Sequence, residues 1–230
     1  MMDVHTHILP GMDDGAVSVR EAQKMLALAA GQGIGVICLT PHYYHYDEPP
    51  DDFYKRRALS LQEIEGYAAQ LNITLIPGSE TYLTPNLLSE RDLSGLCINR
   101  SRYLLLEAPF ESAFSGTIGL IERIMSNFDV TPIMAHIERY PPLLKTNGPL
   151  SDLLDMGCLT QINLCSLDGD FLLRRKLLRY FEEDKVHFIG TDCHDPQRRP
   201  PDYTNIELLR GRFGNPFMDD FFARAKDLLL

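Results

Sequence analysis

The sequence predicts an α/β fold of parallel strands linked by helical crossovers, and three observations predict it. Short runs rich in Val, Ile and Leu recur along the chain, and between them lie longer stretches with apolar residues at spacings of three and four. The two periods mark strand and helix in alternation. The runs are apolar on both faces, which implies a parallel sheet covered on both sides. Seven such units occur, and that many strand–helix repeats point to a barrel. With 230 residues, 44% of them hydrophobic and 23% charged, the chain has ordinary globular usage and enough length for one substantial core. One domain over residues 1–230 is expected.

In chain order the runs are MDVH at 2–5, IGVICLTPH at 34–42, ITLIPGSE at 73–80, RYLLLEAP at 102–109, VTPIMAH at 130–136, LTQIN at 159–163 and VHFIGTDCH at 186–194. VREAQKMLALAAGQG after the first run and GTIGLIERIMSNF before the fifth carry the helical spacing, with Gly or Asn near their ends. YYHYDEPPDD at 43–52 reads as a surface loop because of its prolines and charges. His187 sits at the start of its strand and reads as structural; Thr40, Met156, Phe221 and Phe222 read as packing. The helical-looking tail MDDFFARAKDLLL either covers the barrel or joins a neighbouring subunit.

Composition excludes several settings. No apolar stretch approaches the roughly 18 residues of a membrane span, and the start lacks the basic n-region and apolar run of a signal peptide. No direct membrane insertion is expected. The net charge of −10 argues against a nucleic-acid partner, whose affinity rests on Lys and Arg at phosphates. Five cysteines, odd in number and without a C-x-x-C pair, suit free thiols in a reducing cytoplasm.

The polar residues then fall into a pattern. His5 and His7 end the first run, His42 the second, Glu80 the third, Glu107 the fourth, His136 the fifth, and Asp192 with His194 the seventh; Asp14 lies just beyond the first. A single histidine at a strand end is usually a hydrogen-bonded structural residue. In a parallel barrel, however, all the strand carboxyl ends converge on one face, where such folds place their chemistry. That many imidazoles and carboxylates on one rim are costly to bury without cations between them. Imidazole and carboxylate without thiolate suit manganese, iron or zinc, and nine ligands are too many for one ion but fit two or three. His5 and His7, two apart on a strand, point to the same side and can hold one ion together.

The set HTH, MDDG, TPH, GSE, LLE, AHIER and GTDCH, in this order, resembles the PHP (polymerase and histidinol phosphatase) superfamily of metal-dependent phosphoesterases. More narrowly, DVHTHILPGMDDGA, TPIMAHIERY and DMGCLTQIN resemble the bacterial tyrosine phosphatases encoded with capsule and exopolysaccharide genes. The likeness runs from residue 1 to about residue 215. It implies a distorted (β/α)7 TIM-like barrel with three metal ions, usually manganese. One would sit at His5, His7, Glu80 and Asp192. A second would be held by Glu80, Glu107 and His136 with Glu80 bridging, and the third by Asp14, His42 and His194. Arg139 and Arg199 match the family's phosphate-binding arginines, and either could instead form an ordinary surface ion pair.

The activity so implied is hydrolysis of a phosphomonoester by water activated on the cations, with a guanidinium fork suited to phosphate oxygens. The substrate implied is the phosphotyrosine-bearing tail of a membrane-anchored bacterial tyrosine kinase that controls polysaccharide export. Within the same fold, histidinol phosphate or a nucleotide is the alternative, and a non-catalytic metal-binding regulatory module is the third. Tyr43, Tyr44, His45 and Tyr46 either wall a phosphotyrosine pocket or stand as an exposed loop. CHDPQRR at 193–199 matches the Cys-x5-Arg spacing of cysteine-nucleophile phosphatases. Pro196 removes a backbone donor from any phosphate cradle there, and Asp195 sets a like charge beside it. Cys193 is therefore read as a bystander between two metal ligands.

Overall fold

The computed structural model describes residues 1–110 and 114–230. Every strand pairing among them is parallel. β1 (Met2–Asp3), β2 (Val36–Leu39) and β4 (Thr74–Pro77) form one row in that order. The second row is β3 (His42–Tyr43), β5 (Glu80–Tyr82), β6 (Tyr103–Glu107), β7 (Thr131–Met134), β8 (Leu159–Asn163) and β9 (Phe188–Gly190). The second and third apolar runs each contribute to both rows, because each is broken near its end. Pro41 interrupts the second run, having no N–H to give a ladder, and Gly78–Ser79 interrupts the third. Glu80 N still donates to Pro41 O at 3.0 Å and Gly78 N to Leu39 O at 2.9 Å, so the rows are continuous in hydrogen bonding.

The sheet curls until its last run reaches its first. Asp192 N donates to His5 O at 2.8 Å, and His7 N donates to Cys193 O at 2.9 Å. The buried Asp3 carboxylate reinforces this junction by accepting from Thr191 N (3.1 Å) and Thr191 Oγ1 (2.7 Å). Ile37, Leu39, Leu104, Leu105, Leu106, Ile133, Met134 and Phe188 are all buried, and because side chains alternate along a strand they fill both faces of the sheet.

Helices cover the outside. α1 (Val19–Gly31) starts at Ser18, whose hydroxyl accepts from Glu21 N. α2 (Pro50–Gln70) trims the reading of 43–52 as a loop: residues 44–49 are loop, but β3 ends at Tyr43 and the helix takes in Pro50, Asp51 and Asp52. Proline suits a first helical position, where its missing N–H has no partner to lose, and Asp51 and Asp52 meet the positive helix end. α3 (Phe114–Asn127), α4 (Leu150–Asp155), α5 (Phe171–Glu182) and α6 (Ile206–Phe213) follow. α7 (Asn215–Leu229) settles the choice for the tail: Met218, Phe221, Phe222 and Leu229 are buried against the chain's own body, next to β1. Thr40 is buried, but as a polar tie, its hydroxyl accepting from Thr6 N at 3.0 Å. No helix among the described residues is long and apolar enough to cross a membrane.

Candidate metal centre

His5 and His7 are fully buried, and each has one ring nitrogen fixed by an acceptor. Gln161 Oε1 accepts from His136 N at 2.7 Å, while its Nε2 donates to Asn163 Oδ1 at 2.8 Å, so the amide orientation is set. His5 Nδ1, 3.2 Å from that oxygen, must carry the proton. His7 Nδ1 is likewise held 2.7 Å from the Asp13 carboxylate. Both Nε2 atoms are thereby left as lone-pair acceptors, yet they face each other at 3.2 Å. Glu80 Oε2 stands 3.1 Å from one and 3.3 Å from the other. Acceptors crowded in this way, away from water, need a cation or added protons between them.

Glu80 is the hub. Its Oε1 meets His136 Nε2 at 2.9 Å, and its Oε2 lies 3.0 Å from His42 Nδ1, though not along a hydrogen-bond direction. Burial favours the neutral acid, but in the metal-free chain the charge of a protonated His5, with hydrogen bonds from His136 and from the protonated Nε2 atoms of His5 and His7, holds the carboxyl well below its ordinary range. Glu107 behaves oppositely. Burial and the Glu80 charge raise it to about 7, and it lies 3.6 Å from His136 Nε2 and 3.9 Å from His42 Nδ1. His136 Nδ1 is buried without a hydrogen-bond partner.

On the opposite side, Asp192 Oδ1 approaches His7 Nε2 at 3.4 Å, His194 Nδ1 at 3.5 Å and His5 Nε2 at 3.7 Å. Its Oδ2 receives Arg139 Nη2 (2.7 Å), Arg199 Nη2 (2.8 Å) and Asn163 Nδ2 (2.8 Å). Both arginines therefore hold Asp192 with one nitrogen, and each guanidinium has further donors to spare. Asp14 is exposed, with Oδ1 3.4 Å from His194 Nε2 and 3.7 Å from His42 Nε2. Burial, and then the neighbouring His7, lower His194 to about 4, which keeps its ring neutral.

All nine residues expected as ligands thus lie in one cluster. Donor atoms of His7, Asp14, His42 and His194 fall within 4.8 Å of one another, as do those of His5, His7 and Glu80, and those of His42, Glu80 and Glu107. Two backbones are also left-handed at expected ligand positions, φ 31° at His136 and 52° at Asp192, a conformation L residues rarely adopt and one that concentrates at functional sites. The facing Nε2 pair, and His42 Nδ1 lying 3.0 Å from Glu80 Oε2 with no hydrogen-bond partner, fit a cation-binding cluster. Mixed imidazole and carboxylate donors without sulfur suit a borderline divalent ion.

The aromatic loop divides. Tyr43 is in the core, its ring 4.9 Å from Phe53, and His45 is tied to Glu90 at 2.6 Å. Tyr44 alone flanks the cluster, stacked on His42 at 5.3 Å and beside Tyr82 at 5.5 Å, while Tyr46 is exposed behind it. Phe110, half-exposed, stacks on His136 (5.9 Å) and Tyr140 (5.1 Å). Cys193 is buried, and burial and the nearby Asp3 push its thiol well above the ordinary range, so a thiolate there is disfavoured. Sequence reasoning missed Asp13, Gln161, Asn163, Asp3 and Phe110.

A model of the family described as capsular polysaccharide synthesis, CpsB/CapC, matches residues 1–230. Tyrosine-protein phosphatase CpsB of Streptococcus pneumoniae is 32% identical over 210 residues, spanning 87% of this chain and 86% of that protein. Tyrosine-protein phosphatase YwqE of Bacillus subtilis (strain 168) is 32% identical over 213 residues, spanning 86% and 79%. A chain from the crystal structures of YwqE from Bacillus subtilis and CpsB from Streptococcus pneumoniae, described as unique metal-dependent tyrosine phosphatases, aligns with a TM-score of 0.81. It is 25% identical and covers 100% of this chain and 94% of that one. Matched over its whole length, this chain belongs to the CpsB/CapC family of capsular polysaccharide synthesis.

Proposed function

We propose that this chain is a metal-dependent protein-tyrosine phosphatase. In this reading residues 1–230 form one domain, a distorted (β/α)7 barrel of the PHP type. It acts in the cytoplasm on the phosphotyrosine-bearing tail of a bacterial tyrosine autokinase that regulates capsular or exopolysaccharide synthesis. The observation that carries the reading is the facing pair of His5 and His7 Nε2 atoms at 3.2 Å, both turned into acceptors by Gln161 and Asp13 and both next to Glu80. Relatives named tyrosine-protein phosphatases support the substrate class.

His5, His7, Asp14, His42, Glu80, Glu107, His136, Asp192 and His194 would hold two or three divalent ions, manganese in this reading, with Glu80 shared. Such ions supply charge neutralisation for a phosphate dianion and activation of the attacking water. The chain's own residues do the rest. Arg139 and Arg199 fix Asp192 through one nitrogen each, and their remaining donors are available to phosphate oxygens. Gln161 and Asp13 hold the two imidazoles in the tautomer that offers Nε2. Tyr44 and Phe110, stacked on His42 and His136, offer two rings on which a phenyl ester can rest.

A phosphatase assay tests this directly. With metal content measured on the same sample, a phosphotyrosine peptide is expected to be hydrolysed faster than a phosphoserine peptide or histidinol phosphate. Preference for histidinol phosphate would replace the protein substrate with a small one.

A further inference from the structure

Away from the metal cluster, a groove of about 700 Å³ runs along α5, lined by Arg174, Arg175, Lys176 and Arg179 of that helix and by Arg212 after it. The chain as a whole carries 32 acidic residues against 22 basic ones, yet Glu182 is the one acid in the groove lining. Glu182 pairs with Arg212, and Glu183 pairs with Arg179 at 2.5 Å. Among the described residues neither Arg174 nor Arg175 has an acidic partner. At the start of the same helix Phe171 and Leu172 also line the groove, and they are 65% and 69% exposed. Two consecutive large apolar side chains in water, next to a cluster of cations, are not accounted for by the fold.

We propose that this face is a docking surface for anionic phospholipid. Guanidinium and ammonium groups take the headgroup phosphates, and Phe171 and Leu172 enter the boundary between headgroups and acyl chains, as on helices that lie in a bilayer interface. A soluble acidic peptide satisfies the cations but leaves both hydrocarbon side chains in water. An anionic bilayer surface accommodates both features, so the charge and apolar patterns select it. The contact is peripheral; no helix among the described residues is long and apolar enough to cross the membrane. α5 follows β8 through a turn at Leu164–Leu167, whose Ser166 Oγ donates to Glu138 Oε1 at 2.9 Å beside the metal cluster. The docked helix start therefore lies near the rim formed by the strand carboxyl ends.

The test is flotation of the metal-loaded full chain with two vesicle preparations, one of phosphatidylcholine alone and one containing phosphatidylglycerol. Binding to the anionic vesicles only is expected, falling steeply with added salt. The double variant Arg174→Glu/Arg175→Glu and the double variant Phe171→Ser/Leu172→Ser should each weaken vesicle binding, by about thirtyfold or more for the charge reversal. Turnover of a soluble phosphotyrosine peptide should be unchanged in both. The proposal is overturned if the parent chain fails to float, if it floats equally with both preparations, or if neither pair of substitutions reduces binding. It is also overturned if a soluble acidic peptide, and not the vesicles, binds to the groove.

Discussion

At the scale of single residues, the set that gathers in the cluster was legible because imidazoles and carboxylates at the ends of apolar runs have few structural reasons to gather there. Their supports were not. In MDDG the sequence does not say which aspartate turns inward; the loop sends Asp13 to His7 and leaves Asp14 exposed. Gln161 and Asn163 looked like ordinary strand residues, although polar side chains two apart in a buried strand share one face, a signal that was readable. Arg139 poses the sharpest question at this scale, since it holds Asp192 at 2.7 Å. If its spare donors also grip the phosphate as charge moves, Arg139→Ala lowers kcat by a factor of about 100 to 1,000. Arg139→Lys restores only part of the rate, because an ammonium lacks the fork. Turnover within threefold of the parent in a folded, metal-loaded Arg139→Ala protein would reduce the arginine to an ordinary ion pair.

At the scale of elements, the seven apolar runs were visible, but their breaks were not. Pro41 and Gly78–Ser79 split two runs, and α2 starts inside a stretch that prolines and charges made look like loop. Proline is ambiguous in sequence because it suits both a turn and a first helical turn. The tight turn that follows the first run depends on Gly15. A Cβ there would lie 2.2 Å from His7 O and 2.5 Å from His7 Cβ, so the backbone of His7 would have to move. Gly15→Ala is expected to destabilise the chain by about 1–3 kcal/mol and to weaken metal retention. Gly66→Ala, in the middle of α2 with open space around the new methyl, should stabilise by up to about 1 kcal/mol. Denaturant melts of the two variants check the contrast; equal effects would mean that the turn is not tight.

At the scale of the whole molecule, the parallel alternating architecture could be read from periodicity and a barrel from the number of units, whereas the side chain that ties the last run to the first could not. That junction rests on Asp3, a buried carboxyl held at about 6 by burial against its hydrogen bonds to Thr191 and His5. Nothing in MDVH distinguishes it from a surface aspartate. Charge state and metal binding are linked across the cluster. In the metal-free chain, burial lowers His5 and His7, but Glu80 and Asp192 around His5, and Asp13 around His7, raise both above the ordinary 6.5. Their contribution to metal-free stability is complete below about pH 6.5 and is lost as pH rises through the higher folded values. Glu107, raised to about 7, acts in the same direction. Bound cations displace these protons, so affinity rises with pH. The melting-temperature gain from added manganese should therefore grow between about pH 6.5 and 8; a gain independent of pH would show that protons and metal do not compete at these imidazoles.

The central claim is that hydrolysis depends on cations in this cluster and not on a thiol. The most direct measurement is phosphotyrosine-peptide turnover against metal content, by elemental analysis, during chelation and stepwise reloading, in the parent and in Cys193→Ser. Rate should vanish with the metal, return with it to at least two ions per chain, and be nearly the same in both proteins. A stripped chain that still turns over, or a Cys193→Ser chain that holds its metals and is inactive, would contradict it.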